Sequence, residues 1–538
     1  MTSRSCGSPF TQVIIIGAGF SGLAMACQLK RQLNCHDLVI YDRVPRLGGT
    51  WYTNRYPGCG VDIPAAFYSL SFAPNPDFSQ FFPKQTEILQ YMNDVAKQFN
   101  VTEHFIGNTE WLGASWQDDE ACWSVRLKET SKTGRTFTHQ CKILISAVGG
   151  LSNPNECTIP GIDNFKGEIV HTAKWDPDIS CAQKNVIVIG NGSSATQVIP
   201  EIAKEAKTII QFIRTPQYYM PSQNAAVSPF WKAIFRKIPG SLRLFRTLIF
   251  LYLESSILLF DLTWLGAKMR KGATTKAQRY VTDHAPRKYW PLLFPNYEFG
   301  CKRRVFDNDG YLACLHKSNV HLTSDTVVSL LEQSILTKSG EIHPADVIIL
   351  ATGFSPTQHD VDLRGRNGYS RHEHWEQSGS MRAFNTVAMS GFPNFFYILG
   401  PNSGRGHTST VFASESYVDL VIRAIKPVLW NNASTVEVKQ TSEGRFNNEL
   451  RTALRTTILT DMCRSWYIDP KTELNWFIYP WSSLRMWYST RWRSMGDWMY
   501  QVMSLDSLRR FTFIRQSHTI FSPMCLGHFL KRNSVYNN

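Results

Sequence analysis

The chain has 538 residues, 43% hydrophobic and 19% charged, which excludes a disordered protein and leaves room for two or three domains with cores of their own. Its net charge of +14 is spread among aromatic and apolar residues with no Lys/Arg block or nucleic-acid motif, so no nucleic-acid partner is expected; a phosphorylated cofactor and general surface charge account for the excess. Twelve cysteines without a C-x-x-C pair exclude a disulfide framework, a zinc site or a redox dithiol, and no metal is expected.

The first twelve residues lack the apolar stretch of a signal peptide, so cytoplasmic residence is the expectation. Thr11–Ile16 then reads as a buried strand delivering Gly17-x-Gly19-x-x-Gly22 into a helix over Leu23–Gln32. In such a turn the first glycine makes the bend, the second lets the backbone approach a pyrophosphate, and the third lets helix and strand pack closely. The helix start faces the phosphates with its positive end. A second strand, Leu38–Tyr41, ends in Asp42, about 20 residues past the glycines, where a carboxylate is expected on a ribose diol. Gly48–Asp62 is rich in glycine and aromatics and reads as an ordered loop across a ligand. Asp62 has little reason to lie there unless it pairs with a cation.

An amphipathic helix is predicted over Lys84–Phe99, a strand meander over Trp111–Gln140, and a buried strand from Lys142 to the glycine turn at Gly149. Phe165–Asp176 alone reads as a surface loop followed by a strand, with His171 and Trp175 at a partly buried sheet edge. Asn185–Ile189 repeats the strand and glycine turn with Gly190-x-Gly192-x-x-Ala195, in which a methyl still packs at the third position. The following strand, Thr208–Ile213, ends at Arg214-Thr215. An arginine where the first unit has an acid favours a ribose phosphate, and hence NADPH over NADH.

Leu242–Phe260 is strongly apolar but carries Arg243, Arg246 and Glu254, too many charges for a spanning helix. It reads as a helical insertion whose apolar faces pack on the body, with peripheral membrane contact the less favoured alternative. Lys302-Arg303-Arg304 is a cation run between glycine and aromatics, so at least one cation is expected to point inward. Asp346–Ala351 is a further buried strand ending at Gly353, a hinge back to the first unit. A last strand over Phe392–Leu399 leads to a helix over Val411–Ile425, whose start could face a flavin ring.

Two glycine turns of this kind, about 170 residues apart, imply two dinucleotides on one chain. The stretch between them fits F-x-G-x-x-x-H-T-x-x-W-[PD] through Phe165, Gly167, His171, Thr172, Trp175 and Asp176. It resembles the fingerprint of the Baeyer–Villiger monooxygenases, and Gly48–Asp62 is similar to that family's second signature. Gly300–Arg304 and Gly406–Ser409 resemble fungal members acting on secondary metabolites.

The resemblance implies an α/β fold of two Rossmann-like dinucleotide-binding domains, for FAD and NADPH, with a helical insertion. On this plan residues 1–154 and 389–500 form the FAD domain and 155–221 and 297–388 the NADPH domain. Residues 222–296 are the insertion and 501–538 a C-terminal extension. FAD is then held by Gly17, Gly19, Phe20, Ser21, Gly22, Asp42, Gly49, Thr50 and Trp51. NADPH falls to Gly190, Gly192, Ser193, Ser194, Arg214, Thr215 and Lys302, with Trp466 settling its nicotinamide. Arg303 is the implied active-site arginine and Asp62, beside the cofactors, its charge partner. Asp42 departs from the Glu more common in the family.

The implied reaction inserts one oxygen atom of O2 beside a ketone carbonyl to give an ester or lactone; on this reading His171 and Trp175 couple domain movement and are not an acid–base pair. The alternatives are a flavin hydroxylase or nitrogen/sulfur oxygenase and, more distantly, a non-catalytic nucleotide-binding or membrane-peripheral protein.

Overall fold

The computed structural model describes residues 8–502 apart from 132–133, 223, 461–464 and 470; the predicted extension lies, from residue 503 onward, outside the described residues. The opening apolar run forms β1 (Phe10–Ile16), whose side chains alternate between two cores: Val13 and Ile15 face one, Ile14 and Ile16 the other. A strand covered on both faces reads as one continuous hydrophobic run. It feeds α1 (Phe20–Leu33) and then β2 (Leu38–Tyr41), parallel to β1. After α2 (Gln85–Gln98) come β3 (Phe105–Ile106), β4 (Thr109–Gln117), β5 (Cys122–Glu129) and β6 (Thr136–Ser146). The predicted meander and the returning buried strand thus share one strand. β6 runs antiparallel to β5 in its first half and parallel to β1 in its second.

The chain then crosses to β7 (Glu168–His171), β8 (Asn185–Ile189), α3 (Ser193–Ile202) and β9 (Thr208–Phe212). The helices α4 (Pro229–Lys237), α5 (Ser241–Ser255) and α6 (Trp264–His284) and two single-turn helices follow, before β10 (Val320–Thr323) and β11 (Val347–Leu350). These five strands make an all-parallel sheet in the order β10-β9-β8-β11-β7. β12 (Asp362–Arg364) and β13 (Phe395–Tyr397) return to the first sheet, beside β4 and β6. β12 therefore re-enters the first sheet inside the 297–388 span that the sequence assigns to the second domain; a three-residue edge strand carries no glycine turn to announce it. Finally α7 (Thr410–Leu429) packs on α1, and α8 (Ser483–Trp492) on α7.

The two crossovers run side by side. Asn153–Pro154 on the way out pairs antiparallel with Phe354–Ser355 on the way back, and the Asn155 N–H donates to Gly353 O at 3.0 Å. β7 is the edge strand of the parallel sheet, and His171 at its end meets the Phe354 ring edge-on, 6.0 Å between centroids. The sheet-edge geometry of Phe165–His171 and its place next to the crossovers are one arrangement.

In the insertion, the expectation that the apolar faces pack on the body holds for one face only. Leu242, Arg246 and Leu253 of α5 are buried, Ile249 and Phe250 pack on Ile63 and Phe67, and Arg246 Nη2 donates to Ser69 O at 3.0 Å. The opposite face, with Leu244, Leu248, Leu251 and Tyr252, is exposed, because the helix meets the body along a single side.

His359, on the return crossover, is buried edge-on against Trp375 and Tyr397. Burial pushes its imidazole down to about 3, with the charge of Arg371 acting in the same direction. The unfolded chain protonates this group near 6.5 and the folded chain does not until about 3, so stability falls as pH drops through that window. The cost reaches about 1.4 kcal/mol per pH unit. The thermal midpoint of the His359→Phe protein should decline less steeply between neutral pH and the acid end of this window than that of the parent; equal slopes would remove His359 from the account.

Candidate functional site

A cavity of about 710 Å3 opens where the first glycine turn, the 48–63 loop, the 147–153 turn, the Phe299–Arg304 segment and the start of α7 converge. The glycine turn divides its labour as the spacing predicts. A Cβ on Gly17, whose φ is +105°, would lie 2.4 Å from Ala147 O, and one on Gly22 would lie 1.9 Å from Gly17 O. Both positions are closed by packing. Gly19 is different: the nearest atom to its Cβ would be 3.7 Å away, on Gly49. The middle glycine thus leaves open space on the cavity side, which fits a pyrophosphate approaching the backbone. The second turn repeats the pattern, with Gly190 closed by Ala351 O at 2.4 Å and nothing within 4 Å of Gly192.

Asp42 lines the cavity, and its carboxylate also holds the turn in place. Oδ2 accepts from the Ala18 N–H at 2.7 Å and Oδ1 from the Val44 N–H at 3.1 Å. Each oxygen keeps a further acceptor position for a ribose hydroxyl. Phe20, Ser21, Gly49, Thr50 and Trp51 also line the cavity; Trp51 is buried and donates through Nε1 to Tyr68 Oη at 3.3 Å.

Arg303 and Asp62 form an ion pair in the cavity wall, Nη2 donating to Oδ2. Asp62 is the main influence holding the guanidinium charged, against the cost of burial. Although Arg303 lies on a cavity wall, 54% of its side chain is accessible, leaving donors free to meet a ligand. Tyr68 and Tyr467 flank the pair, and Tyr467 Oη donates to Cys301 O. Cys301 is disulfide-bonded, although the cysteine pattern predicts no disulfide framework. Arg304 also lines the cavity, and its guanidinium donates to Gly406 O at 2.9 Å. Lys302 Nζ lies 4.8 Å from the Tyr297 ring, with its pKa lowered by burial and by the charge of Arg214.

Several predicted site residues lie elsewhere. From the second dinucleotide set only Ser193 and Lys302 line the cavity; Gly190, Gly192, Ser194, Arg214 and Thr215 do not, nor does Gly22. Arg214 is exposed at the end of β9, and Thr215 O accepts from Asn191 Nδ2 at 2.7 Å. None of the six fingerprint residues lines the cavity. Phe165, His171, Thr172 and Trp175 are buried, His171 Nδ1 accepts from the Ala173 N–H at 3.0 Å, and Asp176 caps the next turn through the Asp178 N–H at 3.0 Å. A Cβ on Gly167 would lie 2.5 Å from Asp346 O. Burial lowers the His171 pKa, partly offset by the Gly353 backbone. The helical turn Thr50–Thr53 packs on Thr172–Lys174, so the stretch touches the wall of the cavity from behind. Trp466 lines the cavity with its ring 4.6 Å from that of Phe477.

Sequence reasoning misses two connections. Gln197 on α3 accepts from Tyr56 Oη at 2.8 Å and donates to Gly60 O at 3.1 Å, tying the 48–62 loop to the second nucleotide helix. Glu254 reaches from the insertion to His407 Nε2 at 3.1 Å, beside the start of α7. Burial alone would raise the Glu254 pKa, but the hydrogen bonds from His407 and Ser483 hold it down at about 2. Nothing in the spacing of either residue marks it; a Gln one turn into a nucleotide-binding helix is the nearest to a signal.

Residues 15–84 match the NAD(P)-binding Rossmann-like domain family, and residues 72–237 the L-lysine 6-monooxygenase/L-ornithine 5-monooxygenase family. The Baeyer-Villiger monooxygenase of Pseudomonas aeruginosa is 31% identical over 474 residues, 87% of this chain and 87% of its own length. The FAD-binding monooxygenase ktnD of Aspergillus niger is 32% identical over 468 residues, 85% of this chain and 76% of its own. Among solved structures, the closed form of cyclohexanone monooxygenase aligns with a TM-score of 0.80 at 24% identity, a likeness of fold. An oxidized steroid monooxygenase bound to NADP aligns with a TM-score of 0.78 at 26% identity; both cover 92% of this chain and 100% of theirs.

Proposed function

The chain belongs to the Baeyer–Villiger monooxygenase family, and from that premise we propose that Arg303, oriented by Asp62, is the residue at which a ketone substrate receives an oxygen atom. The protein is an NADPH-dependent flavin monooxygenase. When bound, FAD supplies the oxygen-activating chemistry and NADPH the reducing electrons. The open backbone at Gly19, next to the packed glycines, fits the pyrophosphate of the flavin cofactor. On this reading Gly17, Gly19, Phe20, Ser21, Gly22, Asp42 and Gly49–Trp51 hold FAD. Gly190, Gly192, Ser193, Ser194, Arg214, Thr215 and Lys302 hold NADPH, the two cations taking the ribose phosphate, and Trp466 borders the nicotinamide.

The observation that carries the reading is the Arg303–Asp62 ion pair in the wall of the cavity. Addition of oxygen to the carbonyl carbon opens the C=O bond and places negative charge on the ketone oxygen. That charge is lost when the neighbouring carbon migrates to the inserted oxygen and the O–O bond breaks, the second atom of O2 leaving as water with the electrons that NADPH supplies. A guanidinium already fixed in place stabilises that charge without reorganising. Asp62 keeps Arg303 charged and aimed, and offsets the cost of holding it at a partly dry wall. No side chain acts as nucleophile; His171 and Trp175 act on the joint between the sheets. The family's fungal members and the 13% aromatic content support a large apolar ketone of polyketide or terpenoid type.

The test is oxygenation of a ketone panel under labelled O2 with NADPH. The expected product is an ester or lactone heavier than its ketone by one labelled oxygen. A second reading, oxygenation of nitrogen or sulfur, has the match of residues 72–237 behind it. Labelled amine or sulfide products with every ketone untouched would favour it.

A further inference from the structure

The helices of the insertion leave an apolar face uncovered. On α5, Leu244, Leu248, Leu251 and Tyr252 recur at i, i+4, i+7 and i+8 and are all exposed, Tyr252 by 75%. Residues at that spacing lie along one side of a helix. α8 carries a second exposed stripe, Leu484, Tyr488 and Trp492. The Leu484 N–H donates to Glu254 Oε1 at 3.1 Å, so the start of α8 abuts the end of α5. Stacked rings of Trp231, Phe235 and Phe245, with centroids 6.0 and 5.2 Å apart, join α4 to α5. Of twenty-one exposed large hydrophobic side chains among the described residues, thirteen fall between Phe230 and Leu265 or on α8. Exposed apolar side chains scattered singly need no explanation, but a concentration of this kind marks an interaction surface.

The same segment is where the chain keeps its charge. Residues 228–288 hold twelve Lys and Arg against three acids. Nine of these cations are exposed, while Arg246 and Arg270 are buried, and Arg236 and Arg270 pair with Asp77 and Glu298 outside the segment. Lys268 Nζ lies 5.3 Å from the ring of exposed Trp264, a cation one turn along α6 from an aromatic tip.

We propose that this face seats the enzyme on an anionic phospholipid surface, with the leucine and aromatic tips at the boundary of headgroups and acyl chains and the cations among the lipid phosphates and carboxylates. A bilayer supplies apolar depth and negative charge together. A second copy does not: a twofold interface joins identical patches, so exposed cations such as Lys268 would meet their own kind. Among the described residues no helix is long and apolar enough to cross a membrane, so α5 lies in the interface. The turn that continues α5 contributes Ser256, Leu259 and Phe260 to the cavity. On the ketone reading above, lipid seating therefore brings the cavity wall to the phase that dissolves an apolar substrate.

The experiment is flotation of the FAD-loaded full chain with vesicles of phosphatidylcholine alone and of phosphatidylcholine containing phosphatidylserine. Binding is expected to the phosphatidylserine vesicles, weakened by salt, and to fall at least about tenfold in the Leu248→Glu/Leu251→Glu double variant. Oxygenation of a water-soluble ketone should not change in that variant, whose substitutions are exposed and outside the cavity. Three outcomes overturn the proposal: no flotation with phosphatidylserine vesicles, flotation equal for parent and variant, or a parent that sediments as a dimer without binding vesicles while the variant sediments as a monomer. The vesicle readout stands whether or not a ketone is oxidised, so its failure is separable from failure of the proposed reaction.

Discussion

Arg303→Ala should lower the rate of ester formation by a factor of about 10² to 10³, the size of effect seen when a preorganised charge facing a developing oxyanion is removed. Reduction of bound flavin by NADPH, followed as bleaching of its visible absorbance, should stay within a few-fold of the parent rate. The split separates a role in oxygen transfer from a role in holding cofactors. Arg303→Lys keeps the charge but not the planar fork that lies against the carboxylate, so partial recovery at best is expected. Asp62→Ala leaves the guanidinium in place and removes its orienting partner; its loss should be smaller than that of Arg303→Ala. Full ester formation by Arg303→Ala would take the arginine out of the mechanism, and equal loss of flavin reduction would move it to the cofactor.

Gly19→Ala should give a folded but nearly colourless protein, with FAD affinity lowered at least about tenfold. The argument rests on the difference between neighbouring glycines. The Gly19 φ of −79° suits any residue, and its Cβ meets nothing closer than 3.7 Å, so the chain itself tolerates the methyl. The space it fills is the space a pyrophosphate needs to approach the backbone. Gly17→Ala is the comparison: a positive φ and a carbonyl oxygen 2.4 Å from the new Cβ should lower the thermal midpoint as well as the flavin content. If Gly19→Ala retains FAD at parental affinity, the first glycine turn does not carry the pyrophosphate; if it unfolds, the turn is tighter than its geometry indicates.

Much of the architecture is legible in the chain because its requirements are local. A bend at Gly17 or Gly190, an open backbone at Gly19 or Gly192 and a buried strand ahead of each are conditions on a dozen consecutive residues. The stretch Phe165–Asp176 points to the family for the same reason, though its residues lie behind the cavity wall and not in it. From the residues alone Asp62 reads as a carboxylate that needs a cation and Lys302-Arg303-Arg304 as a run with at least one cation pointing inward. Only the resemblance pairs Arg303 with Asp62, because they lie 241 residues apart, a distance on which periodicity and spacing are silent.

By itself, then, the sequence determined two nucleotide-binding units, their order, the charge that favours NADPH and the membership of the family. Only the tertiary structure decided that β6 belongs to meander and parallel sheet at once, that the chain re-enters the first sheet at β12, and that the two crossovers pair. It alone brought Glu254 to His407 and Gln197 to the 48–62 loop. It also left one side of α5 uncovered, where composition predicts burial. Each of these depends on which surfaces remain once other segments have packed, and that is a property of the assembled layers, not of any stretch of residues within them.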